Sequence, residues 1–331
     1  MIDLNHIYVE RAAAELPLTR SLLDRLRPTH ITRIDDAQRF FKRPQQDFGR
    51  QKRMPHLIIA RKTGSFLYEG SERVASFGQE RAVHYNDMLR NCLFDCDYCF
   101  LQGMHRSANI LLNANIDDYV AAVDRYLQDH RGLYLSVSYL TDLLGFERAF
   151  GLARRRGEVA RDRSGLELEL RTKSDGFSAL GEVEPHPGVI LTWSLSPDAV
   201  ARRHEAGTAA FQQRVFDARR AADRGWRVRI CFDPIIATEN WRRHYGAAIR
   251  DLFRRVPAAA IEEISFGVFR MHPDFLDRIL RFRSSESLET GVQREERVAS
   301  YSEAMRDELF DFMREEIAGY LPSERIHPVH G

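Results

Sequence analysis

The sequence predicts an α/β fold: an open, partial (β/α)6 TIM-like barrel with an N-terminal α/β extension and a C-terminal helix. Three observations carry that expectation. From about Arg81, short apolar runs alternate with longer segments of helical apolar spacing in six units, the signature of parallel strands joined by right-handed crossovers. The cysteine-rich loop, Thr141-Asp142, Lys173, Ser194 and Asp233-Pro234 all fall at the carboxyl ends of those strands, where barrels of this type carry their chemistry. At 331 residues with 44% hydrophobic content, the chain can bury one large core with appendages.

Taken in order, residues 1–80 read as a mixed α/β region with a strand at His6–Val9, a helix at Leu18–Leu26 and a strand at Leu57–Ala60. Between them a basic loop, Arg39–Arg53, interleaves Phe40, Phe41 and Phe48. Such a mixture either tracks a nucleic-acid backbone and stacks on bases, or is a solvated loop whose phenylalanines pack inward. The barrel region, 81–275, starts with a strand at Val83–Leu89 that runs straight into the cysteine loop. There follow the helix Ile116–Gln128 with Asn115 as its cap, strand Tyr134–Tyr139, helix Glu147–Glu158, strand Leu166–Arg171, a short helix near Phe177–Gly181 and strand Val189–Leu195. Helix Phe211–Arg224 ends at Gly225, before strand Val228–Phe232; helix Trp241–Arg255 and strand Glu263–Phe269 complete the repeat. A C-terminal segment, 276–331, contains the helix Ser302–Ala318 and a short tail.

Composition excludes several classes. A formal charge of +1 argues against a protein that coats nucleic acid indiscriminately, while leaving room for a local basic groove. Lysine occurs only at positions 42, 52, 62 and 173, so nearly all positive charge is arginine, which suits bidentate phosphate contacts. The start MIDLNHIYVE lacks a signal pattern, and no apolar run approaches the roughly 20 residues of a membrane span. A cytoplasmic location is therefore expected, and few cysteines agree with a reducing compartment.

Three of the four cysteines, Cys92, Cys96 and Cys99, sit in one window with CxxxCxxC spacing. Three thiolates on a cubane [4Fe-4S] cluster leave one iron open to a small molecule, and that is the signature of radical S-adenosylmethionine (SAM) enzymes. SAM chelates the open iron, and an electron from the cluster breaks a carbon–sulfur bond to release a 5'-deoxyadenosyl radical. A zinc site is the competing reading, with His84 or His105 as fourth ligand, but the distant second pair usual in zinc motifs is missing. Cys231 reads as a buried structural thiol.

With these landmarks placed, the chain resembles the spore photoproduct lyase family of radical SAM enzymes. The likeness runs essentially end to end. It rests on CDYCFLQ at Cys96–Gln102, LTD at Leu140–Asp142 ahead of Gly145, RTKS at Arg171–Ser174, WSLSP at Trp193–Pro197, HEAGT at His204–Thr208 and DPIIATENW at Asp233–Trp241. The resemblance implies Cys92, Cys96 and Cys99 as cluster ligands and Thr141, Asp142, Lys173 and Ser194 as SAM-holding positions. Those types suit SAM's carboxylate and ammonium. Read from the residues alone, Lys173 pairs with Asp175, Asp142 caps the segment after Gly145, and Ser194 is a buried, backbone-bonded hydroxyl. Family members split a thymine–thymine photolesion in DNA by hydrogen abstraction.

Two departures bear on substrate. The family's hydrogen-donating cysteine falls on Tyr139, and the tyrosine after the third cysteine, which relays hydrogen back to SAM, is Phe100, while Tyr98 is retained, so the resemblance implies a catalytic relay reduced to Tyr98 with Tyr139. Tyr139 is thus either a replacement donor or a core aromatic. Between Phe282 and Tyr301, the family's longer DNA-wedging hairpin is replaced by the shorter RSSESLETGVQREERVAS, which suits a more distorting lesion, a single strand or another substrate, since extrusion must offset lost stacking. Arg270, Arg281, Arg283, Arg294 and Arg297 lie nearby as phosphate contacts or as a solvated face. The resulting expectation is a DNA repair lyase reversing a UV-induced dipyrimidine lesion, flipped out of the helix, with a 6-4 or Dewar-type product as one candidate and flavodoxin or ferredoxin as electron donor. The alternatives are a radical SAM enzyme acting on a nucleoside, RNA or small molecule, and a non-catalytic iron–sulfur sensor or nucleic-acid-binding protein.

Overall fold

The computed structural model of the protein describes residues 2–70 and 83–330; the expected boundary at residues 80/81 lies outside them. The larger of two main sheets has eight strands. Its central members, Val83–Asn86, Leu133–Ser136, Leu166–Thr172, Val189–Ser194, Arg227–Ile235 and Ile264–Val268, run parallel in sequence order. This is the partial barrel the alternation predicts. Its strands are buried on both faces, as parallel sheets covered by helices must be, and Val189–Ser194 is buried at every position. Leu67–Glu69 adds an antiparallel strand at one edge and Ile326–Val329 a parallel one at the other. The second of these replaces the expected plain tail. Its Pro328 obscures the pattern, and proline is tolerated on an edge strand.

Helices Ile116–Asp129, Leu152–Arg161, Phe211–Asp223 and Trp241–Arg255 link the strands. Helix Glu303–Ala318 starts where Ser302 Oγ accepts the Met305 N–H at 3.3 Å. The expected helix Glu147–Glu158 is two. Glu147–Phe150 ends at Gly151, whose φ of 64° breaks the run, and the Glu147 carboxylate then accepts the N–H groups of Ala153 and Arg154 at the start of Leu152–Arg161. Asn115 precedes its helix but does not cap it. Its amide accepts the Lys62 N–H at 2.8 Å and donates to the Lys62 carbonyl at 3.0 Å, tying the helix start to the smaller sheet.

That smaller sheet runs His30–Ile34, Asp3–Glu10, His56–Ala60, Ile110–Asn113, Leu89–Arg90, all parallel except the last. The expected strand Val83–Leu89 is therefore two pieces: the barrel strand stops at Asn86, and the chain crosses to the other sheet before the cysteine loop. Likewise Tyr134–Tyr139 ends at Ser136, leaving Val137–Tyr139 as loop. The basic loop folds as two short helices, Ala37–Lys42 and Phe48–Arg53, capped by Asp36 and Asp47. Phe41 and Phe48 are buried, which is the inward-packing alternative. One apolar core is continuous from Ile7, Val9, Leu57 and Ile59 of the smaller sheet into the barrel.

A short helix after the cysteines, Leu101–Met104, packs on helix Pro273–Leu280 so closely that a Cβ at Gly103 would meet the Phe275 carbonyl oxygen at 2.3 Å. Backbone cannot yield as a flexible side chain can. Gly103→Ala is expected to lower stability by about 1–3 kcal/mol, the usual cost of overpacking, read as a shifted midpoint in urea unfolding.

Candidate active site

A cavity of about 450 Å³ opens at the carboxyl ends of the barrel strands. All nine residues singled out from the sequence line it: Cys92, Cys96, Cys99, Tyr98, Tyr139, Thr141, Asp142, Lys173 and Ser194. They arrive from four places in the chain, so the strand order, not local sequence, brings them together.

The cysteine loop has little regular structure and is held by its neighbours. Asp95–Cys96 pairs antiparallel with Glu205–Ala206, and the Asp97 N–H donates to the His204 carbonyl at 3.0 Å. The Asp97 carboxylate accepts from His204 Nδ1 and Ser287 Oγ, both at 2.9 Å, and from Ser285 Oγ. Lys52 Nζ donates to the Cys92 carbonyl at 2.6 Å. All four cysteines are free thiols. Burial, with the charge of Asp142, pushes the Cys92 thiol up to about 12; burial also raises Cys99, and burial with Glu205 drives Cys96 well above the thiol range. Such thiols stay protonated unless a metal takes the proton's place, since a coordinating thiol is deprotonated outright. Among the described residues no three His, Cys, Asp or Glu side chains converge as around a single ion. Three thiols lining one cavity match in number the three protein ligands of a [4Fe-4S] cluster with one open iron.

In the same lining, Asp142 is fixed rather than free. Its carboxylate accepts from Gly145 N–H at 2.9 Å, Thr172 Oγ1 at 2.8 Å and the Lys173 N–H at 2.7 Å; burial nevertheless keeps its pKa above the ordinary value. The capping bond to Gly145 is present, yet three of roughly four acceptor positions are used, leaving one for an ammonium. Thr141 Oγ1 donates to the Asn91 carbonyl at 2.8 Å. Asp175 pairs with Arg148, not Lys173, and Lys173 Nζ lies 5.9 Å from the centre of the Tyr98 ring with no carboxylate within ion-pair distance among the described residues. Ser194 contributes its carbonyl, not its hydroxyl, to the wall's bonding, accepting from Arg214 at 2.9 Å.

Behind this wall lies a feature that sequence reading missed. Arg214 and Glu205 form an ion pair without solvent contact. Arg214 also donates to the carbonyls of Ala209 and Ser194 and to Thr208 Oγ1, while Glu205 accepts from Tyr98 and from Ser196 at 2.7 Å. Burial alone would raise the Glu205 carboxyl, but Arg214, Lys173 and the bonds from Tyr98 and Ser196 together outweigh it and hold it below the usual range. The HEAGT motif thus supplies the charge that orients Tyr98; a lone Glu next to His in a loop carried no signal of its own. Tyr98's own pKa is pushed well up by burial, then by Glu205.

Tyr139 sits differently. Its ring packs on Tyr85 and Phe100, with centroids 4.6 and 5.6 Å apart, and it lines the cavity with its hydroxyl free of hydrogen bonds among the described residues. Both sequence alternatives therefore describe part of its surroundings. Among the nearby arginines, Arg270 grips Asp233 through two bonds of 2.8 and 3.1 Å, and Arg283 and Arg294 pair with Asp95 and Asp277. Arg281 and Arg297 have no ion pair among the described residues, and Arg297 borders the cavity. The segment between Phe282 and Tyr301 is a short helix, Glu286–Glu289, and a small antiparallel sheet with Arg270–Met271.

A family model described as spore photoproduct lyase matches residues 3–273. The spore photoproduct lyase of Bacillus subtilis (strain 168) is 22% identical over 266 residues, 78% of this chain and 74% of its own length. That of Geobacillus sp. (strain Y412MC61) is 22% identical over 212 residues, 62% of each chain. A solved spore photoproduct lyase complexed with dinucleoside spore photoproduct superposes with a TM-score of 0.82 at 18% identity over 98% of both chains. A mutant with bound AdoMet and the same dinucleoside gives 0.81, again at 18% identity over 98% of both. At this identity the structural likeness shows the fold.

The Arg214–Glu205 pair yields a sharp stability prediction. Arg214→Met leaves a buried carboxylate unpaired and is expected to cost about 3–5 kcal/mol, whereas combining it with Glu205→Leu should recover much of the loss. Urea unfolding of both variants measures it; a double variant no better than the single one would contradict the ion-pair account.

Proposed function

Because the chain belongs to the spore photoproduct lyase family of radical SAM lyases, we propose that it reverses a UV-induced dipyrimidine lesion in DNA, a 6-4 or Dewar-type product being one candidate. The observation that carries this reading is the convergence on one cavity of three thiols, an unpaired Lys173 and a free phenol at Tyr139. Two relatives in this family are solved with a dinucleoside photoproduct or AdoMet, and the same two ligand classes are proposed here.

Cys92, Cys96 and Cys99 would hold a [4Fe-4S] cluster, reduced by a flavodoxin- or ferredoxin-type donor, that with SAM supplies a 5'-deoxyadenosyl radical. Lys173 offers its ammonium to the SAM carboxylate, and the remaining acceptor position of Asp142 faces the SAM ammonium. Thr141 and Ser194 complete that end of the pocket.

The two tyrosines divide the remaining work by their partners. Tyr98 has its O–H committed to a carboxylate that Arg214 holds anionic, so it positions the cysteine loop. Tyr139, with its hydroxyl unengaged and at the cavity wall, gives the hydrogen atom that completes thymine recovery. Arg281 and Arg297, without acidic partners among the described residues, are candidates for contact with backbone phosphates. A flipped lesion enters without a long wedge, because a distorted pair has less stacking to lose.

The decisive experiment incubates UV-irradiated thymine-rich DNA anaerobically with reconstituted protein, SAM and a reductant, then measures every photoproduct and deoxyadenosine by mass spectrometry. Selective loss of one photoproduct with recovery of thymine, abolished in Cys99→Ala, is the expected result. Deoxyadenosine accumulating while every photoproduct persists would overturn the DNA assignment in favour of a nucleoside, RNA or small-molecule substrate. Independently, Lys173→Ala should weaken SAM binding by about ten- to a hundredfold, the value of a charge-assisted hydrogen bond, as read by equilibrium dialysis.

A further inference from the structure

Tyr139 is the first of a row. Its ring centroid lies 4.6 Å from that of Tyr85, and Tyr85 stacks on Tyr68 at 5.4 Å with 20° between planes. Backbone pairing imposes this order: Tyr68 and Tyr85 are direct partners in the antiparallel pairing of Leu67–Glu69 with Val83–Asn86, and opposed side chains on one face of such a pair are in contact. Tyr139 follows the next barrel strand, Leu133–Ser136, which pairs parallel with Val83–Asn86. The three phenols lead from the cavity wall to the edge of the barrel sheet.

At the far end, the Tyr68 hydroxyl accepts from Lys62 Nζ at 2.9 Å and lies 3.5 Å from Asp87 Oδ2. Lys62 and Asp87 are themselves paired at 3.0 Å and each only 5% exposed, so the outermost ring is held by a rigid buried pair. All three tyrosines are half-buried. A row kept only for packing would use phenylalanine equally well, whereas here the hydroxyls recur at each step.

We propose that Tyr139, Tyr85 and Tyr68 form a hydrogen-atom relay that restores the Tyr139 phenol after each turnover, with a small thiol as the source of hydrogen at the sheet edge. The proposal rests on the function above, in which the Tyr139 O–H bond breaks as a C–H bond forms on the recovered thymine. The Tyr139 phenoxyl then takes an electron and a proton from Tyr85, and Tyr85 takes them from Tyr68. The Tyr68 phenoxyl abstracts hydrogen from the thiol, and paired thiyl radicals close to a disulfide. Deoxyadenosine leaves as a product, so SAM is consumed in step with repair.

Tyr85→Phe and Tyr68→Phe keep the stacked rings and remove only the hydroxyls. With a small dithiol present, each variant should repair a burst of about one lesion per enzyme and then stall, separating the first turnover from the steady state. Freeze-quenched Tyr85→Phe should also accumulate a tyrosyl electron paramagnetic resonance signal that disappears in Tyr85→Phe/Tyr139→Phe. Undiminished steady-state repair in both single variants, with Tyr139→Phe inactive, would overturn the relay and leave the proposed function standing. Full activity in Tyr139→Phe would overturn the relay together with the donor role of Tyr139 and leave lesion repair standing, whereas no repair by the unmodified protein would overturn both.

Discussion

The molecule depends on a guanidinium and a carboxylate that meet without water. Arg214, on a barrel helix, reaches through the wall to Glu205, and the pair fixes a loop that has almost no regular structure of its own. Removing two charges from water is costly, and their attraction alone seldom compensates. What makes this pair tenable is completeness: the guanidinium spends its donors on Ala209, Ser194, Thr208 and Glu205, and the carboxylate accepts from Tyr98 and Ser196 as well. A fully satisfied buried network specifies one arrangement of the groups it joins. Here those groups are the strand end carrying Ser194 and the loop carrying Cys96 and Tyr98.

The same pair explains why two phenols on one cavity face different fates. Tyr98 is oriented by an anion whose charge is secured from behind, so its proton has a fixed destination. Tyr139 has aromatic neighbours and, among the described residues, no hydrogen-bond acceptor, which leaves its O–H bond directed by packing. Chemistry that moves hydrogen atoms rather than protons favours the second setting, because a neutral, unengaged phenol has no ionic partner to reorganise around.

Much of the barrel was legible because parallel strands buried on both faces give unbroken apolar runs, and helix Trp241–Arg255 follows the periodicity to its ends. Boundaries failed where the apolar run outlasted the strand. Val83–Leu89 reads as one element, yet two sheets divide it between them. Ile110–Asn113 escaped notice because four residues between polar stretches give no period to read. At the site, the cysteine spacing and strand-end positions pointed to the cavity lining. The partners were illegible: Arg148 claims Asp175, and Arg214 finds Glu205 across a helix and a loop, pairings decided by tertiary approach rather than sequence distance.

The crossing of the chain between sheets at Asp87–Leu89, with its return at Ile110, has a consequence for assembly. The smaller sheet is not complete when the N-terminal region has been synthesised, since its fourth and fifth strands bracket the cysteines. Pairings between elements so distant along the chain are slow to form, because loop closure must precede any gain from the contacts. The cysteine loop therefore joins two neighbouring strands of the smaller sheet, and its shape is set only when both have docked. Ordering of that loop becomes a late event, governed by the topology of the polypeptide.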